Sequence, residues 1–123
     1  MILDSYAWIE FFQGSDKGIK VGQILKNKKC FTSIVTLSEV TNWALKNNLD
    51  HIYYIKSIEK YSQIIPLTNK ISVLAGKVNF YNKKTIKNWG MLDSFIYSTA
   101  LIYNLNVLIG DNHFKSLKNV EML

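Results

Sequence analysis

Nine residues of this 123-residue chain are acidic, and four of them share a kind of position. Asp4 follows the apolar run Met1-Ile-Leu. Glu39 lies in the first turn of a helix expected just after a second apolar run. Asp93 opens a helix-length stretch, and Asp111 follows Val107-Leu-Ile-Gly. Between Asp93 and Asp111, from Ser94 to Gly110, no side chain is charged. If the strands before these acids are parallel neighbours, all four carboxylates converge at one edge of a sheet, where open α/β folds bind ligands. Four carboxylates do not sit together unpaired, because like charges at close range take protons back. The chain has no arginine, and no lysine is adjacent in sequence to the four acids. A hard divalent cation is then the natural counter-charge. All-oxygen ligands without a His or Cys cluster favour magnesium or manganese over zinc. In a basic protein, such a site suggests phosphodiester chemistry, with a metal-activated water and charge stabilised on phosphate oxygens.

Each acid also has a purely local reading. Asp4 could cap a helix. Glu39 completes Thr36-x-x-Glu39, a capping-box pattern. Asp93 suits the positive end of a helix dipole, and Asp111 suits a turn after Gly110. The other five acids need no chemistry: Asp16 and Asp50 read as caps, and Glu10, Glu59 and Glu121 as solvated positions. His51 and His113 read as structural rather than catalytic, the general base being a metal-bound water.

The elements that must position these acids alternate. Met1–Leu3 reads as a buried strand, with Ser5 as the N-cap candidate of a helix over Tyr6–Gln13. That helix is apolar nearly all round, so its surplus aromatic surface is met either by core packing or by a second covering. A helix after Gly14-Ser-Asp16 ends in Lys26, Lys28 and Lys29, which suit its dipole. Phe31–Val35 reads as the second strand, Thr36 to Asn47 as a helix and Asp50–Tyr61 as another. Ile64–Leu67 reads as the third strand, with Pro66 marking its end or an edge. Thr68 caps a helix carrying Ile71, Leu74, Ala75 and Val78, and polar Asn79–Asn88 reads as a basic loop. The stretch after Asp93 is helical, Val107–Ile109 is a buried strand, and Val120–Leu123 adds a last short one. The expectation is one domain over residues 1–123, a three-layer α/β/α architecture around a mainly parallel sheet of four or five short strands.

Composition narrows the partners. The formal charge is +6, carried entirely by lysine. Lysine meets phosphates as point charges without the bidentate fork that reads guanine, so nucleic-acid binding would be backbone-led and salt-sensitive. The one cysteine, Cys30, excludes an intrachain disulfide and fits a reducing cytoplasm. Zinc-ribbon sites are excluded. The N-terminus lacks the pattern of a signal peptide, and Ser94–Gly110 is too short to span a bilayer, so a cytoplasmic chain with no membrane partner is expected.

At these same residues the chain resembles PIN-domain nucleases. Met1-Ile-Leu-Asp4-Ser resembles the first family motif, Thr36-Leu-Ser-Glu39-Val the second, Leu92-Asp93-Ser-Phe-Ile the third and Leu108-Ile-Gly-Asp111-Asn the fourth, in order across essentially the whole chain. The resemblance implies a Mg2+- or Mn2+-dependent endoribonuclease, with Asp4, Glu39, Asp93 and Asp111 as the acidic metal-binding and catalytic set. The small size looks like a VapC-type toxin of a toxin–antitoxin pair. Such toxins commonly dimerise and are inhibited by a short antitoxin whose tail fills an apolar groove, for which Trp8, Phe11, Phe12, Tyr53 and Tyr54 are the candidates. Lys83, Lys84 and Lys87 are the candidate RNA contacts. One departure is Ile109, where the family often has Thr or Ser two residues before the fourth aspartate. Ser5 and Asn112 are candidate polar supports in its place. Alternatives are a housekeeping RNA-processing nuclease of the same family and a non-catalytic module that keeps the fold to bind RNA or a partner. Aspartyl-phosphatase and receiver folds fit poorly: Asp4-Ser-Tyr6 lacks a second aspartate.

Overall fold

The computed structural model describes residues 1–123. Its strands are β1 (Ile2–Leu3), β2 (Phe31–Ser33), β3 (Gln63–Ile65), β4 (Val107–Ile109) and β5 (Val120–Met122). All pair in parallel, in the spatial order β3-β2-β1-β4-β5. The six helices are α1 (Ser5–Gln13), α2 (Asp16–Asn27), α3 (Ile34–Lys46), α4 (His51–Tyr61), α5 (Asn69–Asn82) and α6 (Met91–Tyr103). The sheet is thus five-stranded and wholly parallel, between two helical layers.

Period-two alternation divides the short strands between two cores. Ile2, Val107 and Ile109 face a core shared with Ile71, Ile96, Tyr97 and Ala100 of α5 and α6. Leu3 and Leu108 face the other way, onto Ala7, Trp8, Val21, Val40 and Ile58 of α1 to α4. Every residue of β4 is therefore buried, as its uncharged β-branched sequence requires. No helix is long and apolar enough to cross a membrane.

Several boundaries differ from the sequence expectation, among them β3, which runs Gln63–Ile65 rather than Ile64–Leu67. Asp4, not Ser5, caps α1: its Oδ1 accepts the Ala7 N–H at 2.8 Å. β2 stops at Ser33, so Ile34 and Val35 open α3 and Thr36 lies inside it. β-branched Ile34 and Val35 have strand propensity, but parallel pairing with the three-residue β3 ends the ladder there. Thr36 and Glu39 consequently form no capping box. α5 continues through Asn82 before the chain turns, and α6 begins at Met91, two residues before Asp93. Pro66 lies just past β3, which is also an edge strand, and Cys30 is buried as a small filler.

Trp8 is the clearest correction. It was a candidate for a partner groove, yet it is fully buried. Its Nε1–H donates to Thr32 Oγ1 at 3.1 Å, and Thr32 lies 2.7 Å from Ser62 Oγ, which donates to the Ile58 carbonyl. That relay joins α1, β2 and α4, and it gives the indole the buried partner that its polar N–H needs.

Candidate functional site

Beyond the carboxyl ends of β1 and β4 the strand order changes direction. From β1 the chain builds outward to β2 and β3, then returns to place β4 on β1's other side. A crevice is expected at such a switch. A cleft of about 580 Å³ lies there, and Asp4, Glu39, Asp93 and Asp111 all line it, with Ser5 and Asn112.

Each carboxylate is held by its own element. Asp4 Oδ1 is fixed by the α1 cap. Glu39 is free of capping duty because α3 starts early, and it shares the cleft wall with Ser5. Asp93 is the third residue of α6, and its Oδ2 accepts the Gly90 N–H at 2.9 Å. Asp111 precedes a 3-10 turn over Asn112–Phe114, and its Oδ1 accepts the His113 N–H at 3.0 Å. Its Oδ2 lies 3.0 Å from His113 Nδ1, an ion-pair approach rather than a well-angled hydrogen bond. The local readings of Asp4, Asp93 and Asp111 are thus realised together with their place in the cleft, since capping commits a single oxygen.

The cleft is electrostatically unbalanced. No lysine lines it, although the chain carries fifteen. Asp4 is only partly covered as a residue, but its carboxyl end is deep, and burial pushes its pKa up to about 7. The Ala7 N–H opposes that shift, while Glu39, Asp111 and Asp93 add to it. Burial also raises Glu39, reinforced by Asp93 and opposed by Ser5. Burial likewise raises Asp93, with the Gly90 N–H and His113 opposing and Asp111 reinforcing. Desolvation and mutual repulsion therefore act together on three of the four acids. No three of the chain's Asp, Glu, His and Cys side chains are grouped tightly enough, as they stand, to hold an ion between them. The carboxylates line the walls of a shared cleft, the arrangement that repulsion favours.

His113 lines the cleft beside Asp111, while two further lining residues, Tyr6 and Gly110, are not legible as such in the sequence, and Gly110 is there for a steric reason. A Cβ on Gly110 would stand 2.0 Å from Tyr6 Cδ1, so only glycine lets that ring lie against the strand end. Trp89 is buried, donates from Nε1 to Ser94 Oγ at 2.7 Å and packs 4.8 Å from Phe114. It thereby braces the start of α6, which holds Asp93, against the turn that holds Asp111. Ile109 is buried in the core beneath the cleft and supplies no polar support. Lys83, Lys84 and Lys87 are exposed and do not line the cleft.

The PIN domain family model matches residues 1–120. The chain belongs to the PIN domain family. No protein of curated function matches it in sequence. Solved structures share the PIN fold at low identity. A toxin–antitoxin complex from Klebsiella pneumoniae has a chain 19% identical with a TM-score of 0.78, covering 98% of this chain and 94% of that one. VapBC2 from Rickettsia felis, bound to a promoter DNA fragment, gives 17% identity and a TM-score of 0.78 over 99% and 97%. VapC20 from Mycobacterium tuberculosis, described as a toxin cleaving the sarcin-ricin loop, gives 10% identity and a TM-score of 0.74 over 94% and 92%. In this PIN domain the four acids share one cleft.

Proposed function

We propose that this PIN domain is a divalent-metal-dependent endoribonuclease and the toxin of a toxin–antitoxin pair. The observation that carries the reading is the cleft itself: four carboxylates at the switch point of a parallel sheet, with no lysine among them. The donor set fits a hard ion. Its oxygens are anionic, three of its acids are held above their ordinary pKa by burial and by one another, and it offers no thiolate. Asp4, Glu39, Asp93 and Asp111 would hold Mg2+ or Mn2+. When bound, the ion supplies a water of lowered pKa and positive charge for the phosphate oxygens.

The rest of the work falls to the chain. Local hydrogen bonds to Asp4, Asp93 and Asp111 tie one oxygen of each carboxylate to its own element, and an ion would draw the walls of the cleft together. Ser5 and Asn112 offer polar groups at the cleft wall. Tyr6, Leu92 and Phe114 line the cleft with apolar surface. An anionic cleft repels RNA by itself, so the lysines outside it must attract the backbone and the metal must admit it.

The toxin reading is supported by the named toxin–antitoxin structures that share the fold. Its partners would be RNA, a short antitoxin and a second copy of the chain. For the antitoxin seat, Phe11, Phe12, Tyr54 and Tyr53 remain. They form a run of ring contacts from half-buried Phe12, 4.6 Å from Tyr54, out to Tyr53, which is 63% exposed.

The test is RNA cleavage by the purified chain with Mg2+, with Mn2+ and with a chelator. Asp93→Asn should lower cleavage by more than about a hundredfold, beyond the effect of losing a metal's outer support. Undiminished cleavage in that variant would sink the assignment.

A further inference from the structure

Two of the chain's most exposed aromatic residues are consecutive. Phe80 is 59% exposed and Tyr81 65%, at the end of α5. Their rings lie 5.1 Å apart, nearly perpendicular. Lys84 Nζ stands 4.2 Å from the centre of the Phe80 ring and 5.5 Å from that of Tyr81. Neither ring serves the two cores.

The fold places this pair at the cleft's edge of the sheet. α5 and α6 pack antiparallel: Asn69, Lys70 and Val73, near the start of α5, share a groove with Ile102, near the end of α6. The end of α5 therefore lies beside the start of α6, where Asp93 stands. Ile86, in the connection between the two helices, packs on the core that they share. The charge is one-sided too. From Lys60 to Leu92 the sequence has six lysines and no acid.

We propose that Phe80, Tyr81 and Lys84 form a stacking platform for unpaired bases of an RNA strand entering or leaving the carboxylate cleft. The inference rests on the nuclease reading and names the form of its substrate: single-stranded at this point. A polyanion is drawn to lysines, but solvent-exposed rings among them gain nothing from phosphate. Bases gain from rings, and only an unpaired strand presents both base faces and backbone. A duplex would meet the lysines and leave the rings in water. Lys84, now resting on Phe80, turns to the backbone as a base takes its place on the ring. Lys83 and Lys87 extend the charge along the same exit.

The experiment measures anisotropy of a short, labelled, unstructured RNA and of a duplex of the same strand, with metal chelated so that nothing is cut. Phe80→Ala and Tyr81→Ala should each weaken single-strand binding roughly tenfold and leave duplex binding and the salt slope unchanged. Tyr81→Phe should bind like the parent. Lys84→Gln should weaken both and reduce the salt slope by about 0.7 on the single strand. Because these side chains are exposed, thermal melts should match the parent's. Single-strand binding unaffected by either alanine would overturn the platform. So would a loss that accompanies a change in sedimenting mass, since the rings would then be a contact between protein copies. A parallel cleavage assay with Mg2+ separates the two readings. Ring-dependent binding without cleavage removes the nuclease and keeps the platform, whereas cleavage with indifferent rings removes the platform alone.

Discussion

Asp4 does two jobs with one carboxylate. One oxygen caps α1, and burial with three acidic neighbours holds the group's pKa near 7, against an ordinary value of 3.8. A raised pKa means that the fold prefers the neutral acid. The stability this contributes is complete below about pH 4 and is lost as pH rises through about 7. Glu39 and Asp93 shift in the same direction. The metal-free chain should therefore melt at progressively lower temperature between those limits. Millimolar Mg2+ should flatten the decline, and Asp4→Asn, which still caps α1, should flatten it without metal. A melting temperature that rises steadily over the window in metal-free buffer would contradict this. Gly110 gives a second residue-scale expectation. Gly110→Ala should cost about 1–3 kcal/mol through the Tyr6 ring, and Tyr6→Ala in the same chain should recover much of it, as a double-mutant cycle in chemical denaturation would read. The four acids were legible because acids are few and each stands just after an apolar run or in the first turn of a helix near one. Tyr6 and Gly110 were not, because a ring lying across a strand end leaves no spacing signal.

At the scale of elements, the relay from Trp8 through Thr32 and Ser62 ties helices on one face to the centre of the sheet. Thr32→Val keeps the shape but strands a buried indole N–H, so it should cost about 1–3 kcal/mol by denaturant unfolding. A variant as stable as the parent would show that the relay is idle. Strand and helix order was readable from alternation of type, and the four-motif order gave the family. Boundaries were harder. Ile34 and Val35 carry strand propensity into a helix, because register with the short β3, and not propensity, ends β2. The same early start takes Thr36 off the cap and releases Glu39 toward the cleft. The polar run after Val78 hid one more turn of α5, whose exposed face shows Phe80 and Tyr81 to solvent. Trp8, Phe11 and Phe12 were seen as an aromatic surplus, but which of them is core depends on Thr32, a long-range partner that no local pattern announces.

For the whole molecule, the arrangement is a negative pit in a positive protein. A chain of net charge +6 gathers four acids into one cleft and keeps every lysine out of its lining. Long-range attraction for a polyanion and local demand for a cation are thereby assigned to different regions, which is the division that backbone-led cleavage of RNA needs. The function proposed for the cleft requires that it take up a divalent ion. Titration of the metal-free chain with Mn2+ by calorimetry, near pH 6.5 in buffers of different ionisation enthalpy, tests it most directly. A saturable site that releases protons on binding, and that disappears in Asp93→Asn, is the predicted result. Absence of saturable binding, or equal binding by Asp93→Asn, would contradict it.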